Sequence, residues 1–357
     1  MTHGTYKLED LLAQRFNDVA ASELGFDAIN DAIQERQDWL NAQVEDQMGL
    51  FAESSTDMGR VWGGDAQYNM SEVDQNSEAD AEKTTHGIDV FFPMRKFSVS
   101  TAWTADYLLN VSARELASTA LGIQNAYKEA LQEELAFAIY NKDNYSIVDK
   151  YASKLTLAVK CFLNADSVAI PSAPDGTSFT ASSHTHYLGH GGALANDDVD
   201  AAIEHVMEHG LTKGVGIYVP FGLVSVLEGL ASTKFSKNSS TMFTGIAGEN
   251  VDRIDPNADL DNAYIGNWDG RIKVFTRSWA KAGMLSVVAA GAAQKPLVNR
   301  LHKNSAVRGL YRTVQYGQHP ITAQSFDAYI GFGAYNRAAV AVLDCVNAAY
   351  TEPSLIR

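Results

Sequence analysis

The chain has 357 residues, 46% of them hydrophobic, which is enough for one large domain or two to three smaller ones and excludes global disorder. It carries 43 acidic against 28 basic side chains, a formal charge of -15. Such a surface repels phosphate backbones and speaks against tight nucleic-acid binding unless basic residues cluster.

Residues 7–50 place Leu8, Leu11, Leu12, Phe16 and Val19, then Ile29, Ile33 and Leu40, at helical spacing. Gly25 separates two amphipathic helices, which need a partner on the body or on a neighbouring chain. From Glu53 to His86 the composition turns acidic and poor in aliphatics, the signature of a loop. Ile88 to Trp103 then reads as one extended arm, with Phe97, Val99, Thr101 and Trp103 alternating against Lys96, Ser98, Ser100 and Ala102. Met58 to Trp62 is expected to pair back against it. An isolated hairpin is marginal in water, so this one is expected to lean on another subunit.

Ser112 and Glu115 have capping-box spacing and open a long helix to about Asn141, with Leu116, Ala120, Ile123, Tyr127, Leu131, Leu135 and Ala138 as its apolar stripe. Short strands are expected at Leu155 to Val159 and Val168 to Ile170. Asp197 or Asp198 caps a helix from Val199 to His209. Gly216 to Pro220 reads as a buried strand and Leu223 to Leu230 as a helix. Ala263 to Trp268 and Ile272 to Arg277 form a strand pair turned by Asp269-Gly270. Met284 to Ala290, Thr313 to Tyr316 and the run from Phe326 to Asp344 supply further strands. Helices and strands mix without a regular βα rhythm, so the class is α+β.

Chemistry-bearing motifs are sparse. His184, His186 and His190 fall in SSHTHYLGHGG; in an extended segment the first two share a face, as zinc or copper ligands do, but no cysteine or carboxylate nearby completes a site. His205, Glu208 and His209 spell H-x-x-E-H, the inverted zincin signature, yet the downstream glutamate that motif needs is missing between Glu249 and Glu352. Both groups also read as ordinary polar residues at a turn and a helix end. No nucleophile elbow, Walker loop or dinucleotide fingerprint occurs. The basic residues Arg300, His302, Lys303, Arg308 and Arg312 read as a solvated or subunit-facing stretch. Tyr329, Phe332 and Tyr335 read as sheet packing. Cys161 and Cys345 sit in apolar runs and read as small buried hydrophobes, which suits a reducing compartment. The N-terminus has no signal-peptide core, and the longest apolar run, Met284 to Ala293, is too short to span a bilayer; a cytoplasmically made protein is expected. No catalytic, cofactor or metal residue is assigned, and an enzyme is not expected.

The order of parts resembles the major capsid proteins of tailed bacteriophages, with the Hong Kong 97-type fold. Residues 1–52 look like the N-arm, 53–103 like the E-loop hairpin, 104–198 like the P-domain with its spine helix, and 199–318 like the A-domain. Residues 319–357, including RAAVAVLDCVNAA from Arg337, look like the return to the P-domain. APDGTSFTASSHTHYLGHGG from Ala173 is similar to a stretch of several phage head proteins. The resemblance implies self-assembly into pentamers and hexamers of an icosahedral shell around double-stranded DNA, without sequence-specific contacts. It also implies a virion location, with scaffolding, portal and decoration proteins as further partners. Some members join subunits through a lysine-to-asparagine isopeptide bond; Lys83, Lys96 and Asn347 are too ordinary to assign one. Three rivals remain: an encapsulin-type nanocompartment shell, a zinc-dependent hydrolase using His205, Glu208 and His209, and a phage tail or decoration protein.

Overall fold

The computed structural model describes residues 6–63, 87–230, 234–237, 242–244, 250–252, 262–318 and 321–355. The chain opens with short helices α1 (Leu8–Leu11) and α2 (Ala21–Leu24) and the long α3 (Phe26–Met48). Gly25, at φ 91°, makes the break that its position in the sequence predicts. These helices find their partner in the chain's own body. Leu8, Leu11, Phe16, Ala21, Ile29 and Ala32 pack on Val111, Ala113 and Ala117, and backbone bonds Ala21 N–H to Val111 O (2.9 Å) and Ala113 N–H to Val19 O (3.0 Å) stitch the two segments.

Strand β1 (Ala52–Ser55) leads to the hairpin β2 (Gly59–Trp62) and β3 (Ile88–Phe91), registered Gly59 to Phe91 and Trp62 to Ile88. The expected single arm from Ile88 to Trp103 is in fact two strands. Pro93, which has no N–H for a ladder, falls in the break, and β4 (Arg95–Thr104) leaves the hairpin to pair with a strand more than 200 residues away. The acidic centre of the loop, 64–86, lies outside the described residues.

A short helix α4 (Ala105–Asn110) precedes the spine, α5 (Ala113–Tyr140), 28 residues and about 42 Å long at 1.5 Å per residue. Ser112 Oγ accepts the Glu115 N–H as predicted, at 3.2 Å, but Glu115 turns its carboxylate to the Tyr107 hydroxyl (2.6 Å). The hairpin β5 (Tyr145–Val148) and β6 (Thr156–Val159) follows. Val168 to Ile170 is not a strand, and no helix or named strand forms between β6 and β7 (Tyr187–Gly189).

Next come α6 (Asn196–Met207), β8 (Val215–Val219), α7 (Val224–Gly229) and β9 (Phe235–Lys237). Asp198 serves the start of α6 from inside the helix, accepting the Ala195 N–H at 2.7 Å. The small pair β10 (Met242–Thr244) and β11 (Asn250–Asp252) precedes β12 (Tyr264–Trp268) and β13 (Ile272–Thr276). The last two are turned by Asp269 and Gly270 at φ 48° and 68°, the left-handed pair that a tight hairpin demands. Then follow β14 (Met284–Ala289), β15 (Leu297–Arg300), β16 (Leu310–Gln318), β17 (Ile321–Ile330), β18 (Phe332–Ala334) and β19 (Val340–Asp344).

The body is a seven-stranded mixed sheet, β7-β19-β14-β8-β13-β12-β9, between two helices. Period-two alternation divides it. Ile217, Val219, Leu285, Val287, Ala341 and Leu343 face Val199, Ala202 and Val206 of α6, whereas Tyr218, Met284, Val288, Val340 and Val342 join Leu135 and Ile139 of α5. A second sheet, β16-β17-β4, lays Phe326, Ala328 and Ile330 on α5, and α3 is tied to it by Gln37 and Asn41, which donate to Leu310 O at 2.9 and 3.1 Å. A third, β1-β15-β18, closes the other flank. The class is α+β.

Candidate functional site

The connection from β6 to β7 spans residues 160–186 and is held by buried polar pairs. The Arg337 side chain is fully buried; its guanidinium donates to Cys161 O (2.6 Å), to Asn164 Oδ1 (3.0 Å) and to Asp166 Oδ2 (2.8 Å). Arg300, expected at the surface with its basic neighbours, is buried instead; it donates to Asp149 Oδ2 (2.9 Å) and Phe92 O (3.0 Å), so the basic cluster does not form as a patch. Cys161 and Cys345 are buried as expected, and burial pushes both thiols up to about 12. Phe332 is buried in the core, Tyr335 meets Phe92 edge to face, and Tyr329 stacks on Tyr311 and His302, so the aromatic stripe packs within the chain.

This connection ends at the feature with most chemistry in it. The sequence divides the candidate ligands into two groups of three, and the fold takes two from each. His184 and His186 come from the strand entry to β7, while Glu208 and His209 come from the end of α6. The Nε2 atoms of His184, His186 and His209 converge at 3.3, 3.1 and 3.1 Å from one another. Glu208 Oε1 stands 3.3 Å from His184 Nε2 and 3.9 Å from His209 Nε2, and all four ligand atoms lie within 4.8 Å of one another.

Local structure explains the convergence. His186 is fully buried and its backbone is pinned on both sides, its N–H to Leu163 O and its C=O from the Val342 N–H, each at 2.8 Å. Its Nδ1 lies 2.8 Å from Val340 O. A carbonyl can only accept, so the proton is on Nδ1 and the inward Nε2 presents a lone pair. At the other side α6 stops at Met207, and Gly210, at φ 76°, donates to Met207 O and turns the chain away. A Cβ on Gly210 would stand 2.5 Å from Pro174 Cγ, so glycine lets the connection lie close here. Phe179 covers the cluster, its ring 4.7 Å from that of His184 and 4.3 Å from that of His209.

Burial holds all three imidazoles neutral. It takes His186 well below its ordinary value and lowers His184. His209 falls to about 3 through burial and its histidine neighbours. Burial likewise raises Glu208.

The other two histidines are excluded. His190 bonds Asp198 Oδ1 (2.8 Å) and Ala193 O (3.0 Å), and His205 turns Nδ1 to Ala201 O (2.9 Å). The H-x-x-E-H pairing fails because His209 lies beyond the last helical residue, not at i+4 on a continuous face. The isopeptide candidates are engaged elsewhere: Lys96 pairs with Asp327 at 2.8 Å and Asn347 donates to Asp344 at 2.9 Å, while Lys83 lies outside the described residues.

Outside this cluster the described surface carries apolar side chains in the open. Val61 is 55% exposed on the hairpin beside the buried Trp62, and Leu109 (64%) and Val346 (66%) stand on other faces. β4 has a strand partner along one edge only among the described residues, which leaves its other edge without a ladder there.

A spine helix lying across mixed sheets, the β2–β3 hairpin and an N-terminal helical segment together define the Hong Kong 97-type capsid fold. No family model matches the chain, and no curated protein matches it. Solved structures do: a chain of Mycobacterium phage Patience is 15% identical and superposes with a TM-score of 0.66 over 99% of this chain and 96% of its own. Looser likenesses include the capsid of a native GTA particle (12% identity, 84% and 89% coverage, TM-score 0.46). Another is the SrpI encapsulin of Synechococcus elongatus PCC 7942 (13%, 77% and 81%, TM-score 0.41). No described helix is long and apolar enough to cross a membrane.

Proposed function

We propose that this chain is the major capsid protein of a tailed phage, a non-enzymatic subunit that assembles into the pentamers and hexamers of an icosahedral shell around double-stranded DNA. The observation that carries this reading is the end-to-end fold likeness to the phage Patience chain, which covers 99% of this chain and 96% of that one. The open edge of β4 supports it, because an unpaired strand edge offers its backbone groups to a second copy.

On this reading residues 1–52 form the N-arm, 53–103 the E-loop, 104–198 the P-domain, 199–318 the A-domain and 319–357 the return to the P-domain. β19 is an exception within the last span, since it is paired between β7 and β14 in the seven-stranded sheet. The negative charge suits a container that does not grip its genome. Scaffolding, portal and decoration proteins are its expected partners, and the virion its expected location.

The test is expression of the chain alone and with its genomic neighbours, followed by electron microscopy of the product. Closed icosahedral particles or capsomer rings are expected, with DNA inside particles recovered from infected cells. A stable monomer or dimer under both conditions overturns the reading. Particles filled with a cargo protein instead favour the encapsulin-type shell.

A further inference from the structure

The convergence of His184, His186, His209 and Glu208 goes beyond shell formation. We propose that these four side chains form a closed structural zinc site that fastens the connection between β6 and β7 to the end of α6.

Four tetrahedral ligands about 2.0–2.1 Å from a zinc ion stand about 3.3 Å from one another. The three imidazole separations here are 3.1, 3.1 and 3.3 Å, and the carboxylate oxygen is 3.3 Å from one of these nitrogens and 3.9 Å from another. The set is thus already near the spacing of an occupied site.

Hydrogen bonding accounts for this triangle poorly. With its proton on Nδ1, the His186 Nε2 has only a lone pair to offer. A single Nε2–H on His184 or His209 can point at one corner of the triangle, not two, so at least one side is left with no hydrogen bond across it. One divalent cation accepts all three lone pairs at once. Glu208, the most exposed of the four at 35%, closes the fourth position and marks the side from which an ion enters. The bond from His186 Nδ1 to Val340 O is the outer contact that metal-bound imidazoles ordinarily make, and it orients the ring. Three neutral imidazoles and one carboxylate suit zinc before harder cations such as magnesium or calcium.

The site also has something to do in the fold. The connection it would hold has no helix or named strand over residues 160–186, and long stretches of that kind need fastening. Two of the ligands lie at its end and two beyond α6, with Phe179 of the same connection laid over two of the rings. With four protein ligands no position is left for substrate, so the role is structural rather than hydrolytic.

The experiment is elemental analysis of untagged chain, purified without chelator, equilibrated with excess zinc and dialysed into zinc-free buffer. One zinc per chain is expected. Cobalt in its place should give the intense visible absorption of a tetrahedral ion, and stripping the metal should lower the melting temperature reversibly. His209→Gln and His184→Gln should lose the metal, whereas His190→Gln and His205→Gln should keep it. Failure of the unmutated chain to retain zinc overturns the proposal, whatever the variants do. Equal zinc in His209→Gln and the unmutated chain also overturns it. Particle formation is scored separately by microscopy, so shells without zinc would sink this site and leave the capsid reading standing, and zinc without shells would do the reverse.

Discussion

At the scale of single residues, the buried pair of Arg300 and Asp149 carries the largest stake outside the histidine cluster. Both side chains are almost wholly buried, at 4% and 0% exposure. Arg300→Ala strands a buried carboxylate, and a loss of about 3–5 kcal/mol in denaturant unfolding is expected. The pair also sets a pH dependence. Burial works to raise the Asp149 carboxyl, but its bonds to Arg300 and Ser153 outweigh burial and hold it below its ordinary 3.8. A depressed folded value means stability that is fully present above pH 3.8 and is lost as pH falls through the lower, folded value. Melting curves taken downward from pH 5 should therefore show the drop beginning near 3.8, with a shallower slope in Asp149→Asn. An unchanged slope would remove Asp149 from the account. The histidine cluster shows why residues of this kind are hard to read in advance. His184 and His186 are visible as a possible ligand pair, and the carboxylate they lack is Glu208, but it stands 22 positions after His186 with a whole helix between them. Spacing along the chain groups His190 with the first pair and His205 with the second. Only the docking of α6 against β19 and β14 reveals that those two are the bystanders.

At the scale of elements, legibility follows locality. The spine helix announces itself through Ser112 and an unbroken apolar stripe, and β12–β13 through alternation around Asp269-Gly270, because the cap, the stripe and the turn that mark them are each local in the sequence. Ser112→Ala should cost about 1 kcal/mol in unfolding free energy, the usual value of an N-cap oxygen. No loss would mean the Glu115 N–H finds another acceptor. The arm from Ile88 to Trp103 misleads for the opposite reason. Its alternation is continuous enough to suggest one strand, but β3 and β4 belong to different sheets, and Pro93 was the local signal of the break. The hairpin itself is a test of assembly. Val61 faces out at 55% exposure while Trp62 faces in at 4%. Val61→Asp should change monomer stability by no more than about 0.5 kcal/mol, as exposed substitutions do. If the outer face of the hairpin seats on a neighbour, the same change places an unpaired carboxylate in that contact. Sedimentation should then show shells replaced by free subunits. Normal shells from Val61→Asp would exclude that face from the interface.

At the scale of the whole molecule, the decisive quantity is the charge of -15 per chain. On the proposed capsid reading, bringing many such subunits into one shell sets like charges against one another, and short-range contacts have to outweigh them. Salt acts unequally on the two. The screening length falls from about 30 Å at 0.01 M to about 8 Å at 0.15 M. Repulsion between subunit centres acts over distances longer than that and is largely removed, whereas a hydrogen-bonded ion pair is much shorter than either length and survives. The concentration at which subunits begin to assemble should therefore fall as sodium chloride is raised across this range, read by light scattering at fixed pH. The same reasoning gives weak binding of the free subunit to duplex DNA, because any basic contact works against the net field. A threshold that rises with salt would mean that exposed charge complementarity, not burial of surfaces such as Val61 and Leu109, supplies most of the attraction between copies. The interface would then have to be sought among the paired charges of the surface rather than on its apolar faces.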